Sequence, residues 1–417
     1  MSEALRLPAF TGCGIELEYM IVDRQTLAAR PLADELLRAV AGSYVNDVER
    51  GDYGWSNELA LHLVELKNAE PRLPLVGLPA GFQREIGAIN ATLAGFDAQL
   101  MPTAMHPFMD PRTELRLWPH EYAEIYRAYD RIFDTRRHGW ANLQSMHVNL
   151  PFADDAEFAR LHGAIRHVLP LLPALAASSP IAEGRRQPFI DFRIECYRTH
   201  ADRVPEMMGE VIPEPVVSER EYRSQILEPM YRAIAPHDPA EDMRDEWLNA
   251  RGAIARFDRH AIEIRVIDTQ ECPRADIAVA AATIALVRAC YDGAWASAIE
   301  AAPFTARRLA TLLDACARDG DEAVIADHGY LASLGFPGAS ARAGELWSHV
   351  LEQTVFAAAD LPGELLDALR LIERKGPLAR RILHAVDGDY SRERIVATYR
   401  RLCDCLASNQ LFDGTAR

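Results

Sequence analysis

The feature that most constrains the fold is the segment GIELEYMIVD at residues 14–23, in which acidic and apolar side chains alternate. Because successive side chains of a β-strand point to opposite faces, Glu16 and Glu18 share one face. The other face is apolar and carries Ile15, Leu17, Tyr19 and Ile21. By itself the segment fits a half-solvated strand as well as a strand whose polar face lines a site.

Three more segments repeat this arrangement: SNELALHLVELKN, SMHVNLPF and HAIEIRVID. Their polar faces carry Glu58, His62, His147, Asn149, Glu263 and Arg265. A sheet face in contact with water normally mixes in serine, threonine and lysine, and these faces have hardly any. We therefore predict that four strands line one polar cavity. Glu65 has the opposite parity to Glu58 in an unbroken strand, so a bulge realigns it or it lies elsewhere.

Such a cavity would gather at least four carboxylates, and their mutual repulsion would cost several kcal/mol without positive charge. Carboxylate oxygens with an occasional imidazole are ligands suited to Mg²⁺ or Mn²⁺, which commonly carry nucleotide phosphates. Arg265, two residues from Glu263 on the same face, is the strongest candidate for contacting a phosphoryl oxygen or a substrate carboxylate. His62 is expected to be a packed histidine.

Charge and composition exclude several classes of function. The net charge of −16 is spread over 417 residues without a basic block, which disfavours nucleic acid and anionic membranes as partners. Neither lysine, Lys67 or Lys375, lies in a Walker-type loop, and no Gly-x-Gly-x-x-Gly follows a strand. Seven scattered cysteines without a Cys-x-x-Cys pair indicate free thiols, and no export signal is visible, so we expect a cytoplasmic protein.

The order of periodicities predicts an α+β fold. Strand-like alternation covers 14–23, 56–67, 142–150 and a hairpin in AIARFDRHAIEIRVID, with helical spacing between them. This irregular order favours a mainly antiparallel sheet with helices packed on one face over a doubly wound parallel sheet. We predict a catalytic domain at 1–300 and a helical part at 301–417 packed on it, with Ser391 as an N-cap. Proline-rich, acidic residues 205–245 fit a surface insertion or a lid.

Six fragments carry a family resemblance: GIELEYMIVD, SNELALHLVELKN, AMHPF, HVNLPF, ASSPIAEGRR and IEIRVIDT. Their order is similar to that in the bacterial carboxylate-amine ligases, the second glutamate-cysteine ligase family, over roughly residues 12–285. The resemblance implies a glutamine-synthetase-like fold, with an antiparallel sheet curved around a site for ATP, two or three Mg²⁺ ions and an amino-acid carboxylate.

The resemblance also implies roles for individual residues. The implied ligands of the metals and nucleotide are Glu16, Glu18, Glu58, Glu65, His147 and Glu263. Arg265 resembles the arginine at the transferred phosphate, so Glu263 and Arg265 are the predicted catalytic residues. Further candidates are Arg185 and Arg193 for the nucleotide, and His106, Asn149 and Arg251 for the substrates. Asn149 stands where other members have histidine, and Ala104 where glycine is common, which leaves the substrates open.

The expected reaction is phosphorylation of a carboxylate by ATP, most simply the γ-carboxyl of glutamate, followed by attack of an amine such as cysteine on the acyl phosphate. It would serve glutathione biosynthesis, with small amino acids as partners and a homo-oligomer left open. One alternative is a ligase for a different carboxylate and amine. Another is a metal-dependent amide hydrolase, which the lack of His-x-His and His-Glu-x-x-His motifs disfavours.

Overall fold

The first long strand, β1 (Gly14–Asp23), lies inside an eight-stranded sheet and pairs with three other strands. The computed structural model describes residues 6–239, 241–295, 304–357 and 361–415. The other strands of this sheet are β2 (Asp47–Arg50), β3 (Tyr53–Asn57), β4 (Leu63–Asn68), β5 (Ala98–Met101), β6 (Ser145–Pro151), β9 (Ala253–Arg256) and β10 (Ala261–Asp268). Two small hairpins are formed by β7 (Ile181–Ala182) with β8 (Arg185–Arg186), and by β11 (Val324–Ile325) with β12 (Ala341–Arg342).

The strand order is β2-β3-β4-β1-β6-β10-β9, with β5 paired to the second half of β1, and every one of these pairs is antiparallel. The predicted fold class is therefore confirmed. β1 has the bounds that its alternation predicts, and its residues Ile15, Leu17 and Tyr19 are fully buried. The predicted hairpin is also present, because β9 and β10 are joined by a turn at residues 257–260.

Helices cover the apolar face of the sheet. In the N-terminal part they are α1 (Ala33–Ala41), α2 (Leu78–Leu93), α3 (Pro111–Glu114), α4 (Ala123–Phe133), α5 (His138–Ala141), α6 (Asp155–Val168), α7 (Leu172–Ala176), α8 (Phe192–Arg198), α9 (Glu219–Tyr222), α10 (Glu228–Ile234) and α11 (Pro273–Tyr291). The alanine-rich α11 is buried along most of its length and contacts α2 and α6. No helix within the described ranges combines the length and apolarity needed to cross a membrane.

The part after residue 304 is mainly helical, as predicted. Its helices are α12 (Ala306–Asp319), α13 (His328–Ser333), α14 (Ala343–Leu351), α15 (Gly363–Lys375), α16 (Leu378–Val386) and α17 (Arg392–Ser408). The Ser391 side chain accepts a hydrogen bond from the Arg394 backbone N–H and caps α17. The proposed domain boundary at residue 300 lies outside the described residues.

Two predicted segments differ in the structure. The strand predicted at 56–67 is interrupted: β3 ends at Asn57 and β4 begins at Leu63. The backbone between them pairs instead with residues 116–118, since Leu61 N–H donates to the Arg116 carbonyl and Trp118 N–H to the Leu59 carbonyl. Residues 205–245, predicted to be a surface insertion or a lid, contribute to the core. Tyr222, which ends α9, and Met230 in α10 are fully buried. The role of this segment as a lid stays a prediction.

One buried ion pair joins the C-terminal helices to the end of the sheet. Arg381 of α16 forms an ion pair with Glu271, which follows β10. Both side chains are fully buried, at 1% and 0% exposed. Arg381 Nη1 also donates to the carbonyl of Phe412 at 2.6 Å. The loop after β10 therefore depends on the C-terminal helices for its position.

Replacing Arg381 by methionine should lower the free energy of unfolding by about 3 kcal/mol or more, because it leaves the Glu271 carboxylate buried without a partner. The neighbouring Arg380→Met is the matched control. Arg380 pairs with Asp321 near the surface, where loss of such a pair costs about 1 kcal/mol or less. Urea unfolding followed by circular dichroism measures both, and equal losses in the two variants would contradict the anchoring role of Arg381.

Candidate active site

The register of the sheet brings the acids of separate strands onto one face. Glu16 of β1 lies opposite His147 of β6, and Glu263 of β10 lies opposite Asn149 of β6. On the other side of β1, Glu18 lies opposite Glu65 of β4. Antiparallel neighbours on one face have their Cβ atoms close together, so the side chains of four strands converge. The predicted convergence is thus present, although Glu65 reaches it from its own strand and without a bulge.

His147 lies at the centre of this cluster. Its Nδ1 is 2.7 Å from Glu16 Oε2 and 3.6 Å from Glu263 Oε1. Its Nε2 is 3.0 Å from the Ser145 hydroxyl and 3.8 Å from Glu18 Oε1. The imidazole is therefore in contact with acids on both sides.

The pKa values in the cluster reflect this contact. Burial alone would lower the pKa of His147, but the hydrogen bond with Glu16 and the charges of Glu18 and Glu263 raise it to about 9. Burial alone would raise the pKa of Glu16, but His147 and the more distant Lys67 lower it to about 2. Glu65 keeps a raised pKa because burial and the charge of Glu16 prevail there. Excess negative charge is thus only partly neutralised by the protein itself.

Two overlapping groups of side chains have the donors of a metal site. Glu16, His147 and Glu263 form one group, and Glu18, Glu65 and His147 form the other; in each, one ligand atom per residue lies within 4.8 Å of the others. Two carboxylates and one imidazole in each group fit Mg²⁺ or Mn²⁺. Asn149 and Ser145 hold these carboxylates in place, donating to Glu16 Oε1 at 3.2 Å and to Glu18 Oε2 at 2.9 Å, respectively.

Glu58 lies outside both groups. It follows β3 at the point where the predicted strand is interrupted. Burial and the charges of Glu18 and Glu65 raise its pKa well above the usual range. Among the residues that the structure describes, its carboxylate has no hydrogen-bond donor and no ion-pair partner. Its predicted role as a metal ligand stays a prediction.

Arg265 is fixed beside the cluster. Its Nε is 2.7 Å from Glu263 Oε1, and its Nη1 donates to the Asn249 carbonyl at 3.4 Å. Behind it, the buried Arg193 is ion-paired with Asp268 and donates to the Arg265 carbonyl at 3.3 Å. Arg265 therefore presents its guanidinium to the site, and Arg193 holds the backbone that carries Arg265. The role of Arg193 in binding the nucleotide stays a prediction.

A cavity of about 550 Å³ opens beside the cluster. Glu18, Glu58, His147, Arg193 and Arg265 lie along it. Another part of its lining, which we call the aromatic wall, is formed by Tyr122, Tyr126, Tyr129, Trp140, Tyr197 and Trp247. Glu16, Glu65 and Glu263 do not line this cavity. Near them lies a cation instead, since Lys67 Nζ is 3.4 Å from Glu65 Oε1.

Besides Glu58, three predicted site residues are not brought to the cluster. His106 is buried and bonds to the Leu27 carbonyl at 2.6 Å. Arg185 lies exposed on β8 and pairs with Glu183. Arg251 pairs with Glu214 at 2.6 Å. Each therefore has a local structural partner in place of a contact with the acids, and the nucleotide and substrate roles given to them stay predictions. His62 is packed as expected, with Nε2 2.7 Å from the Ala141 carbonyl.

The sequence reasoning missed two kinds of residue. Ser145 shares a strand face with His147 and Asn149, so the alternation that identified them was a sufficient signal for it. The aromatic wall gave no usable signal. Its residues come from α4, α5, α8 and the short helix Glu246–Leu248 with Tyr122 just before α4, and the 122, 126, 129 spacing is also typical of an ordinary helix core.

Comparison with known proteins agrees with this geometry. The family model described as glutamate-cysteine ligase family 2 matches residues 13–329. An uncharacterised protein of Archaeoglobus fulgidus is 31% identical over 399 residues, which cover 96% of this chain and 99% of that protein. A Rubrobacter xylanophilus protein provisionally named glutamate–cysteine ligase 2-3 is 28% identical over 43% of this chain and 46% of its own length.

Among solved structures, the glutamate–cysteine ligase of Francisella tularensis in complex with AMP matches with a TM-score of 0.58. The match covers 95% of this chain and 89% of that chain at 14% identity, so it shows a shared fold of the glutamine-synthetase type. With three quarters of its length matched by one family model, the chain belongs to glutamate-cysteine ligase family 2, a family of carboxylate–amine ligases.

Proposed function

We propose that this protein uses ATP to join a carboxylate to an amine through an acyl phosphate. The observation that carries the proposal is the pair of carboxylate–imidazole groups beside Arg265 on one face of the sheet. Family membership supports the ligase class. The AMP in the Francisella enzyme supports a nucleotide as one substrate, since the two proteins share a fold.

We assign the metal ions to the two groups that share His147. Bound there, Mg²⁺ would neutralise the acids and carry the phosphates of ATP. The protein's own residues have separate tasks: Ser145 and Asn149 fix the orientation of Glu18 and Glu16, and Arg265 stabilises negative charge on the phosphoryl group during transfer. We place the phosphates on the Lys67 side and the amine on the side of the cavity.

Two steps complete the chemistry. A carboxylate oxygen attacks the γ-phosphorus of ATP, and ADP leaves. The amine nitrogen then attacks the acyl carbon, the bond from that carbon to the phosphate oxygen breaks, and phosphate leaves. The ammonium must lose a proton before it attacks, and we assign Glu58, on the cavity wall, to receive it. Burial and the charges of Glu18 and Glu65 raise the pKa of Glu58, so this role requires the ionised form that an ammonium group beside it would favour. The second proton of the nitrogen leaves with the phosphate.

The carboxylate we propose is the γ-carboxyl of glutamate. The family name suggests cysteine as the amine, and with cysteine the product would be a glutathione precursor made in the cytoplasm. A different amine is the second candidate, and the aromatic wall favours it. The test is incubation with ATP, Mg²⁺ and pairs of carboxylates and amines, with ADP release and amide mass followed together. Amide cleavage without ATP, and no ADP from any pair, would favour the hydrolase instead.

Glu58→Gln should lower the rate of amide formation about 100-fold, because it removes the proton acceptor. The number of Mn²⁺ ions bound, counted by electron paramagnetic resonance, should stay the same, since Glu58 lies outside both groups. Glu85→Gln is the control: Glu85 is a buried, ion-paired glutamate on α2, away from the cavity. Loss of a bound ion in Glu58→Gln would assign Glu58 to a metal instead.

A further inference from the structure

We infer that the cavity selects an amine whose body is an aromatic ring and which has no carboxylate, an arylalkylamine, in place of an amino acid such as cysteine. This inference rests on the proposed ligase function and names the class of its amine substrate. Two observations carry it: the composition of the cavity wall and the charges that face the cavity.

The wall is markedly aromatic. Six of the nineteen lining residues are tyrosine or tryptophan, whereas aromatic residues make up 8% of the chain. Tyr126, Trp140, Tyr197 and Trp247 are only half-buried, so part of each ring faces the cavity. A volume of about 550 Å³ lies in the range of pockets that hold ring-sized organic ligands. A side chain as small as that of cysteine would leave most of this apolar surface uncovered.

The rings are held in place before any ligand binds. The Tyr126 hydroxyl accepts a hydrogen bond from Asn57 at 3.0 Å, and the Trp140 indole N–H donates to the His200 carbonyl at 2.9 Å. Tyr129 packs between Trp140 and Trp247, with ring centroids 4.9 Å and 5.9 Å apart. A rigid wall of this kind favours a ring of matching shape, because little ordering of side chains is needed on binding.

The charges facing the cavity are wrong for a second amino-acid carboxylate. Each basic residue that the structure describes along the cavity is paired with an acid or neutral, and Arg265 is in addition assigned to the phosphoryl group. Arg193 is paired with Asp268, Arg265 with Glu263 and His147 with Glu16, while burial lowers the pKa of His200 to about 4. A carboxylate on the amine would therefore be buried without a cation, which is costly.

An ammonium group, in contrast, has a partner. Glu58 lines the cavity together with Tyr126, and burial of Tyr126, followed by the charge of Glu58, raises the pKa of that phenol. An acid next to the faces of tyrosine and tryptophan rings is a favourable site for an organic cation, through charge and cation–π attraction. The geometry thus fits a molecule with an ammonium at one end and a ring at the other.

Three amines test the inference by isothermal titration of the full chain in Mg²⁺ buffer: tyramine, tyrosine, which adds only the carboxylate, and n-butylamine, which lacks the ring. We expect tyramine to bind at least tenfold more tightly than either. Tyrosine binding as tightly as tyramine would overturn the exclusion of a carboxylate. Equal binding of n-butylamine and tyramine would overturn the requirement for an aromatic ring. No binding of tyramine would overturn the whole inference.

Variants locate the binding. Trp247→Ala and, as a second choice should that variant unfold, Tyr126→Leu should each weaken tyramine binding about tenfold. The control Tyr44→Ala removes an exposed tyrosine that stacks on His120, outside the cavity, and should change nothing. Unchanged tyramine affinity in both wall variants would overturn the assignment.

Activity separates the inference from the function beneath it. ADP release with glutamate and cysteine, without binding or reaction of tyramine, would support the proposed ligase function and overturn the inference that the amine is an arylalkylamine. Tight tyramine binding with no ADP release from any carboxylate would support the subsite and overturn the ligase.

Discussion

Glu263→Gln is expected to lower kcat about 1,000-fold while the protein stays folded, since it removes one charge from the most crowded part of the site. Glu263 contacts both Arg265 and His147, at 2.7 Å and 3.6 Å. Glutamine has the same shape, so packing on β10 is retained, but it neither attracts a divalent cation nor balances the guanidinium. The variant should therefore weaken both metal binding and the stabilisation of the phosphoryl group by Arg265.

Three measurements check this expectation. ADP release in a coupled assay gives kcat, and titration with Mn²⁺ should show a loss of metal affinity of about 10- to 100-fold. The melting temperature should stay within about 3 °C, because relief of the repulsion among the crowded acids offsets the lost pairing with Arg265, whose side chain is 26% exposed. Glu85→Gln again provides the matched buried glutamate. Activity in Glu263→Gln within threefold of the unchanged protein would remove the catalytic role we assign to this residue.

Arg265→Lys is the second large effect, with kcat expected to fall about 100- to 1,000-fold and KM for ATP nearly unchanged. Lysine keeps the charge but not the planar guanidinium, which binds Glu263 through Nε and the Asn249 carbonyl through Nη1. A residue that acts on charge developing during phosphoryl transfer lowers kcat when it is lost, whereas one that binds ATP in the ground state raises KM.

The control for this variant is Arg256→Lys on the neighbouring strand of the same hairpin, where the arginine pairs with Asp258 near the surface. Steady-state kinetics with varied ATP separate kcat from KM in both proteins. A large rise in KM with little loss of kcat would make Arg265 a nucleotide-binding residue and would contradict its assignment to the transition state.

Much of the fold could be predicted because alternation encodes both the strand and its orientation. Residues 14–19 of β1 and residues 261–266 of β10 alternate with a period of two and have one apolar face, so their polar faces follow from the sequence. Glu58 shows where that reasoning fails. Leu59, Leu61 and Leu63 continue the alternation across a break that is created by pairing with residues 116–118, and no local pattern contains a partner fifty residues away.

The candidate site divides in the same way. Glu16, Glu18, His147 and Glu263 could be grouped from sequence because neighbouring strands place them in register. The aromatic wall could not, since helices from distant parts of the chain assemble it and its spacing on α4 also satisfies a core. Arg185 and Arg251 could not be distinguished from structural arginines, because a guanidinium pairs equally well with an acid of the protein and with a ligand.

The alternation of β1 also determines how this protein can change during evolution. The side chains at positions 15, 17 and 19 are fully buried against the helices, and those at positions 16 and 18 lie on the face of the sheet that carries the candidate active site. In a library of all single substitutions, changes at positions 15, 17 and 19 should therefore lower the cellular abundance of the protein. Changes at positions 16 and 18 should leave the protein abundant but inactive. A lineage that changed its substrate would therefore have to keep the sequence of β1 nearly unchanged and accumulate its substitutions in the helices that line the cavity.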